Sequence, residues 1–359
     1  MRRLVPVLLL LGLAPLAAAV EGPGPQRQMR QQVQQLNPNV DGPSRASEPD
    51  GPPPVAPAHA ILAAADIGQP TTAGRVTIWP LQARVPTPDT EFATLDEASA
   101  RREITVEEVG DGGTVNTLHV TNTSKQTIYL MAGEVLLGGK QDRIVGRNTL
   151  VPPGATALEV PVFCVEHGRW QRQTEQFGTA GRLAHSKLRR SANAESQAAV
   201  WGEVKAANAR LETDNPTDTY RASVKKLAAD GDVTRAVATL QAGTGKAARV
   251  AGVIVAVDGA LQGVEWFASP GLYRKLEPKL LASFVADALE AAAPSAAVRI
   301  PTREEVAHFI ATADQSSARA ERKGGDGKVY LFDTEAVEGQ TIYRGKDKAP
   351  LHKSWFKKQ

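Results

Sequence analysis

Short apolar runs rich in β-branched residues, separated by Gly, Pro, Asn and Asp, fill the region from about residue 60 to 170 and constrain the fold most. The runs read RVTIW, EITVEEV, NTLHVTN, QTIYLM and ALEVPVFCV. Such runs predict β-strands, and several strands at close spacing predict an antiparallel β-sandwich or a partly closed barrel. The segment TLDEASARRE between them predicts one short helix.

The periodicity becomes helical from about residue 182 onward. Trp201, Val204 and Leu211 recur at helical spacing, which predicts a helix around them. The segment NPTDTYRASVKKLAADG predicts a helix that starts at its Asn-Pro pair and stops at Gly231. The segment RVAGVIVAVDGALQGVEWFAS predicts a β-hairpin whose tight turn is the Asp-Gly pair at 258–259.

The remaining segments predict two more helices and two more strands. SPGLYRKLEPKLLASFVADALEA predicts one helix, and a capping box at Thr302 and Glu305 predicts the other. KVYLFDT and QTIYRG predict a last pair of strands, and the lysine-rich tail 344–359 is expected to be a solvated, frayed end. The predicted fold class is α+β: an antiparallel β-sandwich or partly closed barrel followed by helices and a β-hairpin.

The first residues, MRRLVPVLLLLGLAPLAAAVEG, have the features of a secretory signal. A positive start, an apolar run and small residues predict cleavage near Ala19 and a periplasmic or secreted protein. No later apolar run is long enough to cross a bilayer, so no membrane span is expected.

Four regions follow from these patterns. They are a signal peptide at 1–19, a disordered Pro/Gly-rich linker at 20–58, a main domain at 59–295, and a C-terminal helix, strand pair and basic tail at 296–359. The linker is predicted to be disordered because its polar composition lacks an apolar period.

Composition excludes several classes of function. The 42 Lys and Arg residues nearly balance the 39 Asp and Glu residues, which does not favour nucleic-acid binding. A single cysteine excludes an internal disulfide, and the six histidines show no metal-ligand spacing. We therefore expect no metal site, no cofactor and no nucleic-acid partner, and the sequence leaves protein partners unknown.

The only cysteine, Cys164, lies at the end of a predicted strand. Leu158, Val160, Val162 and Cys164 share one face of that strand, which predicts a buried, structural thiol. A nucleophilic cysteine is the alternative, and it would need a base brought in by the fold.

Two polar segments, GGKQDR and CVEHGRW, contain the basic residues that would suit an anionic group. The predicted ligand-binding residues are Glu134, Lys140, Gln141, Arg143, Glu166 and Arg169. The predicted structural residues are Gly138, Gly139, Cys164 and Trp170. Two alternatives stay open: an internal salt-bridge network, and an acid–base pair formed by Glu134 and Glu166.

Several segments together resemble a known family, the ARG and rhodanese-phosphatase-superfamily-associated protein domain, where ARG means ADP-ribosylglycohydrolase. The resemblance covers roughly residues 60–292 and rests on GEVLLGGKQDRIVGRNTLVPPGA, VPVFCVEHGRW, AESQAAVWGEV, VAGVIVAVDGALQGVEWFASPGLYRK and LEPKLLASFVADAL. It implies a role near ADP-ribose or NAD metabolism, without an established activity.

Three functional hypotheses follow. The first is an exported, non-catalytic module that binds an anionic small molecule resembling phosphate or ADP-ribose. The second is a hydrolase of an ADP-ribose-related or nucleotide-related substrate, with Glu134 or Glu166 as base or Cys164 as nucleophile. The third is a structural or interaction protein of the envelope that works through its linker and basic tail.

Overall fold

The computed structural model describes residues 59–85, 92–245, 249–290, 298–345 and 350–358. The predicted signal peptide and linker lie outside the described residues. Eight helices lie within them: α1 (Ile61–Ala64), α2 (Leu95–Ala100), α3 (Ser186–Asn193), α4 (Gln197–Arg210), α5 (Arg221–Ala229), α6 (Gly231–Thr244), α7 (Pro270–Glu290) and α8 (Arg303–Asp314). None of these helices combines the length and the apolar character that a membrane span requires.

The described residues also contain eighteen β-strands, so the fold is α+β, as predicted. The strands before the helical region are β1 (Ala65–Ile67), β2 (Thr71–Ala73), β3 (Val76–Ala83), β4 (Phe92–Thr94), β5 (Ile104–Glu108), β6 (Thr117–Asn122), β7 (Thr127–Leu130), β8 (Glu134–Leu137), β9 (Arg143–Val145), β10 (Thr149–Val151), β11 (Leu158–Cys164) and β12 (Gly178–Leu183). The later strands are β13 (Val250–Val257), β14 (Ala260–Phe267), β15 (Ala318–Gly324), β16 (Gly327–Asp333), β17 (Val337–Arg344) and β18 (His352–Lys357).

The strands form three sheets, in which the pairs are antiparallel except for the parallel pair of β4 and β7. A nine-stranded sheet has the order β1-β3-β13-β14-β18-β17-β16-β15, with β2 paired to β3. A six-stranded sheet has the order β12-β8-β9-β11-β6-β5, and a three-stranded sheet has the order β10-β7-β4. One sheet curls into a half-barrel, in keeping with the predicted partly closed barrel.

The nine-stranded sheet is buried on both faces at β13. Val253 of β13 packs in one apolar cluster with Phe284 of α7. Its neighbour Ile254 packs in another cluster with Phe309 of α8. Because successive residues of a strand face opposite sides, a strand buried on both faces has a continuous apolar run, which explains the sequence VAGVIVAV.

The six-stranded sheet also packs on both faces, and its strand β11 leads to the predicted site. Val160 and Val162 join the apolar cluster on one face. Phe163 joins the cluster on the other face, together with Leu188 of α3 and Val204 of α4. The C-terminal end of β11 therefore lies between the sheet core and the helices.

Two predicted local structures are confirmed. The hairpin of β13 and β14 turns at Asp258 and Gly259, whose φ angles are 49° and 74°. Both angles are positive, as the tight turn of a two-residue hairpin requires. The segment TLDEASARRE forms α2, where Thr94 and Glu97 make a capping box.

The helix predicted from the Asn-Pro pair was placed too early. Asn215 accepts a hydrogen bond from the amide of Thr219 at 2.9 Å, which closes a turn, and α5 begins only at Arg221. Its predicted stop, Gly231, is instead the first residue of α6, because Asp230 caps that helix through its side chain.

The prediction of a frayed basic tail was wrong for the part of the tail that the structure describes. Strand β18 lies between β14 and β17 in the nine-stranded sheet. Trp355 and Phe356 are buried and join the clusters on opposite faces of the sheet. Lys353 pairs with Asp314 at 2.6 Å. The adjacent pair Trp355 and Phe356 was the strand signal that the lysine count obscured, because aromatic residues are enriched in strands.

Candidate functional site

The two polar segments that the sequence singled out meet in the structure, around a tight loop at Gly138 and Gly139. Their φ angles are 127° and 51°, in the region that favours glycine. The amide of Gly138 donates to Asp142 at 2.9 Å, which closes the loop. A Cβ at Gly139 would lie 2.2 Å from the ring of Phe177, so only glycine fits there.

Ion pairs, in which every side chain except that of Arg221 is buried, join this loop to the end of β11. Arg169 contacts Glu166 at 2.5 Å and Asp142 at 3.6 Å. Arg221 contacts Asp142 at 2.5 Å, and the amide of Asp142 donates to Glu166 at 3.1 Å. We call this set, together with Gly138 and Gly139, the glycine-loop network. Its two carboxylates balance its two guanidinium groups.

The other predicted basic residues also have internal partners. Arg143 is fully buried and donates to the carbonyl of Gln141 at 2.9 Å. The side-chain amide of Gln141 donates to the carbonyl of Glu166 at 2.7 Å. Lys140 donates to the carbonyl of Asp111 at 2.6 Å and lies 5.4 Å from the ring of Trp170. These contacts favour the salt-bridge-network interpretation over an anion pocket at this loop.

Glu134 lies in a separate buried ion pair. It binds the ammonium of Lys279 and accepts from the amide of Met131 at 2.8 Å. Lys279 also contacts Asp96 at 2.8 Å. Burial raises the pKa of Glu134, although Lys279 opposes that shift. Within the described residues Glu134 and Glu166 have no bonding partner in common, which weakens the acid–base interpretation.

Cys164 is fully buried, as the alternation along its strand predicts. Its thiol donates to the carbonyl of Glu166 at 3.2 Å, and the side chain of Gln197 bonds both its amide and its carbonyl. Burial raises the pKa of the thiol, although the nearby Arg143 lowers it in part. A buried, protonated thiol is a poor nucleophile, so the geometry favours a structural role.

A second concentration of positive charge, which the sequence did not reveal, surrounds Glu195. Arg147 contacts the Glu195 carboxylate at 3.2 Å, Arg322 contacts it at 3.1 Å, and Arg319 lies 3.6 Å from it. Arg147 also donates to the carbonyl of Lys323 at 3.1 Å. We call these five residues the arginine cleft.

The backbone at Glu195 is adapted to this arrangement. Its φ angle is 54°, a left-handed conformation that costs a residue other than glycine about 1–2 kcal/mol. The residue directly follows the cap of α3, and its amide donates to the carbonyl of Ala192 at 3.0 Å. This turn places the carboxylate among the three guanidinium groups.

The arginine cleft opens into two adjoining cavities of about 190 and 350 Å³. Arg147, Thr117 and Pro161 line both cavities. Glu195 lines the smaller cavity, and Lys323 lines the larger one. The side chains of the three arginines are 18–30% exposed, and Arg147 lines both cavities.

The electrostatics of the cleft are unbalanced. Burial, together with the neighbouring Arg322 and Arg319, lowers the pKa of Arg147, although Glu195 opposes that shift. The three arginines share the single carboxylate of Glu195, and Lys323 lines the larger cavity together with one further carboxylate, Glu159. The excess positive charge would favour an incoming anion.

Sequence reasoning missed the cleft because its residues are far apart in the chain. Arg147 follows β9, whereas Arg319 and Arg322 belong to β15. Residues three apart on a regular strand face opposite sides, but the register of β15 shifts between Ala318 and Ala320. The only sequence signal was the ARAERKG composition of β15.

One group of residues in the described part of the chain has donors suited to a metal ion. His185, Glu203 and Glu290 each offer a ligand atom, and these atoms lie within 4.8 Å of one another. The three residues come from the start of α3, from α4 and from the end of α7. Their wide separation explains why a search for short ligand spacings predicted no metal site.

Comparison with models of known protein families gives a match over most of the chain. The sequence model of the ARG and Rhodanese-Phosphatase-superfamily-associated Protein domain matches residues 64–356, which includes both the glycine-loop network and the arginine cleft. No curated protein and no solved structure matches the chain. The family match covers most of the chain, so this protein belongs to the family of the ARG and Rhodanese-Phosphatase-superfamily-associated Protein domain.

Proposed function

We propose that this protein binds an anionic small molecule of the phosphate or ADP-ribose class in the arginine cleft. The observation that carries the proposal is the convergence of Arg147, Arg319 and Arg322 on the single carboxylate of Glu195, beside two open cavities. The ligand class is the one expected from the sequence, but the supporting residues differ from the predicted ones.

The Glu195 carboxylate stands in for an oxyanion of the ligand. Guanidinium groups bind carboxylates and phosphates through the same planar fork of N–H donors. A phosphate group carries more charge and more acceptor oxygens than a carboxylate, so it would compete with Glu195 for these donors. Arg322 already binds Glu195 through both Nε and Nη2, at 3.3 and 3.1 Å.

The size of the cavities supports a small ligand. Pockets for small molecules usually measure about 300–1,000 Å³, and the larger of the two cavities has about 350 Å³. It is lined by Leu158 and Pro161 as well as by Lys323. Apolar walls beside basic groups suit a phosphorylated sugar or nucleotide, whose ring would contact the apolar residues.

The residues that would support hydrolysis are bound to internal partners. Glu134 is paired with Lys279, Glu166 is paired with Arg169, and Cys164 is buried with a raised thiol pKa. These contacts support binding over hydrolysis at these residues. The N-terminal sequence supports export, so we propose that the ligand is met in the periplasm or outside the cell.

Titration calorimetry of the full chain with ADP-ribose, NAD, pyrophosphate and phosphate tests the proposal. We expect Arg322→Ala to weaken binding by at least about tenfold, because a hydrogen bond to a charged group contributes about 1.5–3 kcal/mol. Arg84→Ala is the matched control, because it removes a surface arginine whose side-chain partners among the described residues are the exposed Asp66 side chain and a backbone carbonyl.

Glu195→Gln is expected to strengthen anion binding, whereas Arg322→Ala weakens it, if the Glu195 carboxylate occupies the place of the ligand. Removing the competing carboxylate leaves the three arginines without the counter-charge that they share, so anion affinity rises above that of the wild type. No heat release with any of the four ligands, in the wild type and in Glu195→Gln, would contradict the proposal.

A further inference from the structure

We infer that His185, Glu203 and Glu290 bind a divalent transition-metal cation, for which Zn²⁺ is the probe. The inference goes beyond the proposed function and is independent of the arginine cleft. His185 Nε2 lies 3.1 Å from a carboxylate oxygen of Glu203. His185 Nδ1 lies 3.4 Å from Oε1 of Glu290. One ligand atom from each of the three residues lies within 4.8 Å of the others, and a tetrahedral zinc ion with bonds of about 2.1 Å would hold its ligand atoms about 3.4 Å apart.

The imidazole of His185 is held as metal-binding histidines usually are. The hydroxyl of Tyr220 lies 2.8 Å from Nδ1, which leaves Nε2 to face Glu203 and the metal. Both rings are buried, and the backbone amide of His185 also donates to the Tyr220 hydroxyl at 3.2 Å. The ring orientation is therefore fixed before any metal arrives.

Glu290 supplies the second observation that points to a cation. Its side chain is fully buried, and its Oε1 has no hydrogen-bond partner among the described residues. A buried carboxylate oxygen without a partner is costly. That oxygen lies 3.4 Å from His185 Nδ1, so the carboxylate must turn toward Nε2 to bind a metal ion, which would then satisfy it.

The guanidinium of Arg210 stands in for the cation in this structure. It contacts both Glu203 and Glu290, the latter at 2.9 Å. Its side chain is 31% exposed, so it lies on the solvent side of the cluster and can move outward. The buried Asp287 adds a third carboxylate, which accepts from the amide of Ser186 at 3.1 Å. The acidic groups therefore exceed the one guanidinium.

The donor set determines the kind of metal. One imidazole nitrogen and two carboxylates suit Zn²⁺ and similar transition metals, whereas Mg²⁺ prefers oxygen ligands alone. The solvent side, where Arg210 lies, would supply the open position for water or a ligand group. We therefore expect the site to select Zn²⁺ over Mg²⁺.

The first test is calorimetric titration of the chelator-treated full chain with Zn²⁺, with Mg²⁺ as the comparison. We expect one Zn²⁺ per chain, and we expect Glu203→Gln to weaken binding by about 100-fold or more, since even outer partners of a metal site contribute about 10–100-fold. Glu212→Gln is the matched control, because that side chain is 89% exposed and lies just after α4. Wild-type binding that Glu203→Gln leaves unchanged would overturn the inference.

Arg210→Met separates a metal site from a purely structural ion-pair cluster. It removes the competing guanidinium, so we expect tighter Zn²⁺ binding and a melting temperature that added Zn²⁺ restores. A loss of stability that Zn²⁺ does not restore overturns the inference. If Zn²⁺ binds Arg210→Met but does not bind the wild type, the inference is also overturned for the native protein.

X-ray absorption of the zinc-loaded wild type gives a readout that does not depend on how the variants fold. We expect a first shell of nitrogen and oxygen with one imidazole. A sulfur ligand, a shell without imidazole, or the absence of retained zinc contradicts the assignment.

Discussion

The glycine-loop network and the arginine cleft contain the same kinds of side chain but differ in burial and in charge balance. In the network, Arg169 and Glu166 are less than one-tenth exposed, and two guanidinium groups meet two carboxylates. In the cleft, the arginines are partly exposed beside open cavities, and three of them share Glu195.

The difference separates stabilisation from binding. A buried pair that loses one partner leaves an uncompensated charge, so the network is fixed in its present arrangement. A partly exposed cluster with excess charge can exchange its internal carboxylate for a ligand at a smaller cost than a fully buried one. The same residue types therefore support folding in one place and ligand recognition in the other.

The largest expected effect is the loss of a guanidinium from the glycine-loop network. Arg169→Ala leaves the buried Glu166 without its guanidinium partner, and we expect the free energy of unfolding to fall by about 3–5 kcal/mol. Chemical denaturation measures this change. Arg172→Ala breaks an ion pair with the 82% exposed side chain of Glu175, and it should cost no more than about 1 kcal/mol. Equal effects in the two variants would refute the buried-network description.

The next largest expected effect on the free energy of unfolding comes from a substitution in the loop at Gly138 and Gly139. Gly139→Ala places a methyl group against Phe177 at positive φ, and we expect a loss of about 3 kcal/mol from backbone strain and overpacking. Gly154→Ala has a φ of 71° but no atom within 4 Å of the new Cβ, so it should cost about 1 kcal/mol. If both substitutions cost the same, the close contact with Phe177 does not explain the glycine.

A smaller effect distinguishes the two regions by their response to anions. Glu195→Gln leaves Arg147 and Arg322 to repel each other, and we expect a melting temperature below that of the wild type. Added phosphate should restore it by binding the cleft, whereas it should not restore Arg169→Ala. Restoration of both variants to the same degree would indicate a general salt effect.

The smallest effect concerns Cys164 inside the network region. Because burial raises its thiol pKa, the unfolded chain loses this proton first, so the thiol's contribution to stability is present below about pH 8.5 and is lost as the pH rises further. Denaturation curves of the wild type and of Cys164→Ala should be compared between about pH 7.5 and about pH 10, a range that spans the ordinary pKa of a thiol. The free energy of unfolding should decline more steeply with pH for the wild type. Rapid labelling of the native thiol by a maleimide would contradict its burial.

Local patterns predicted the parts of the molecule that local physics determines. The Asp258-Gly259 turn, helix α2 and the burial of Cys164 all follow from residues adjacent in the chain. The internal salt-bridge network that the sequence left open includes Glu166, whose partners Asp142 and Thr217 come from other segments of the chain.

The features that escaped prediction depend on distant contacts. Arg147 reaches Glu195 and Arg322 only because β15 approaches the turn after β9, and a shift in strand register turns both β15 arginines toward Glu195. The basic tail forms strand β18 because it pairs with β14 on one side and with β17 on the other, which buries Trp355. No periodicity in the sequence specifies such pairings.

The most direct test of the account is the affinity of pyrophosphate for two single variants, measured by calorimetry. Arg147→Ala removes a guanidinium from the arginine cleft, whereas Lys140→Ala removes a basic side chain beside the glycine-loop network. We expect Arg147→Ala to weaken binding by at least about tenfold and Lys140→Ala to retain the wild-type affinity. Binding that is lost in Lys140→Ala and retained in Arg147→Ala would contradict the account.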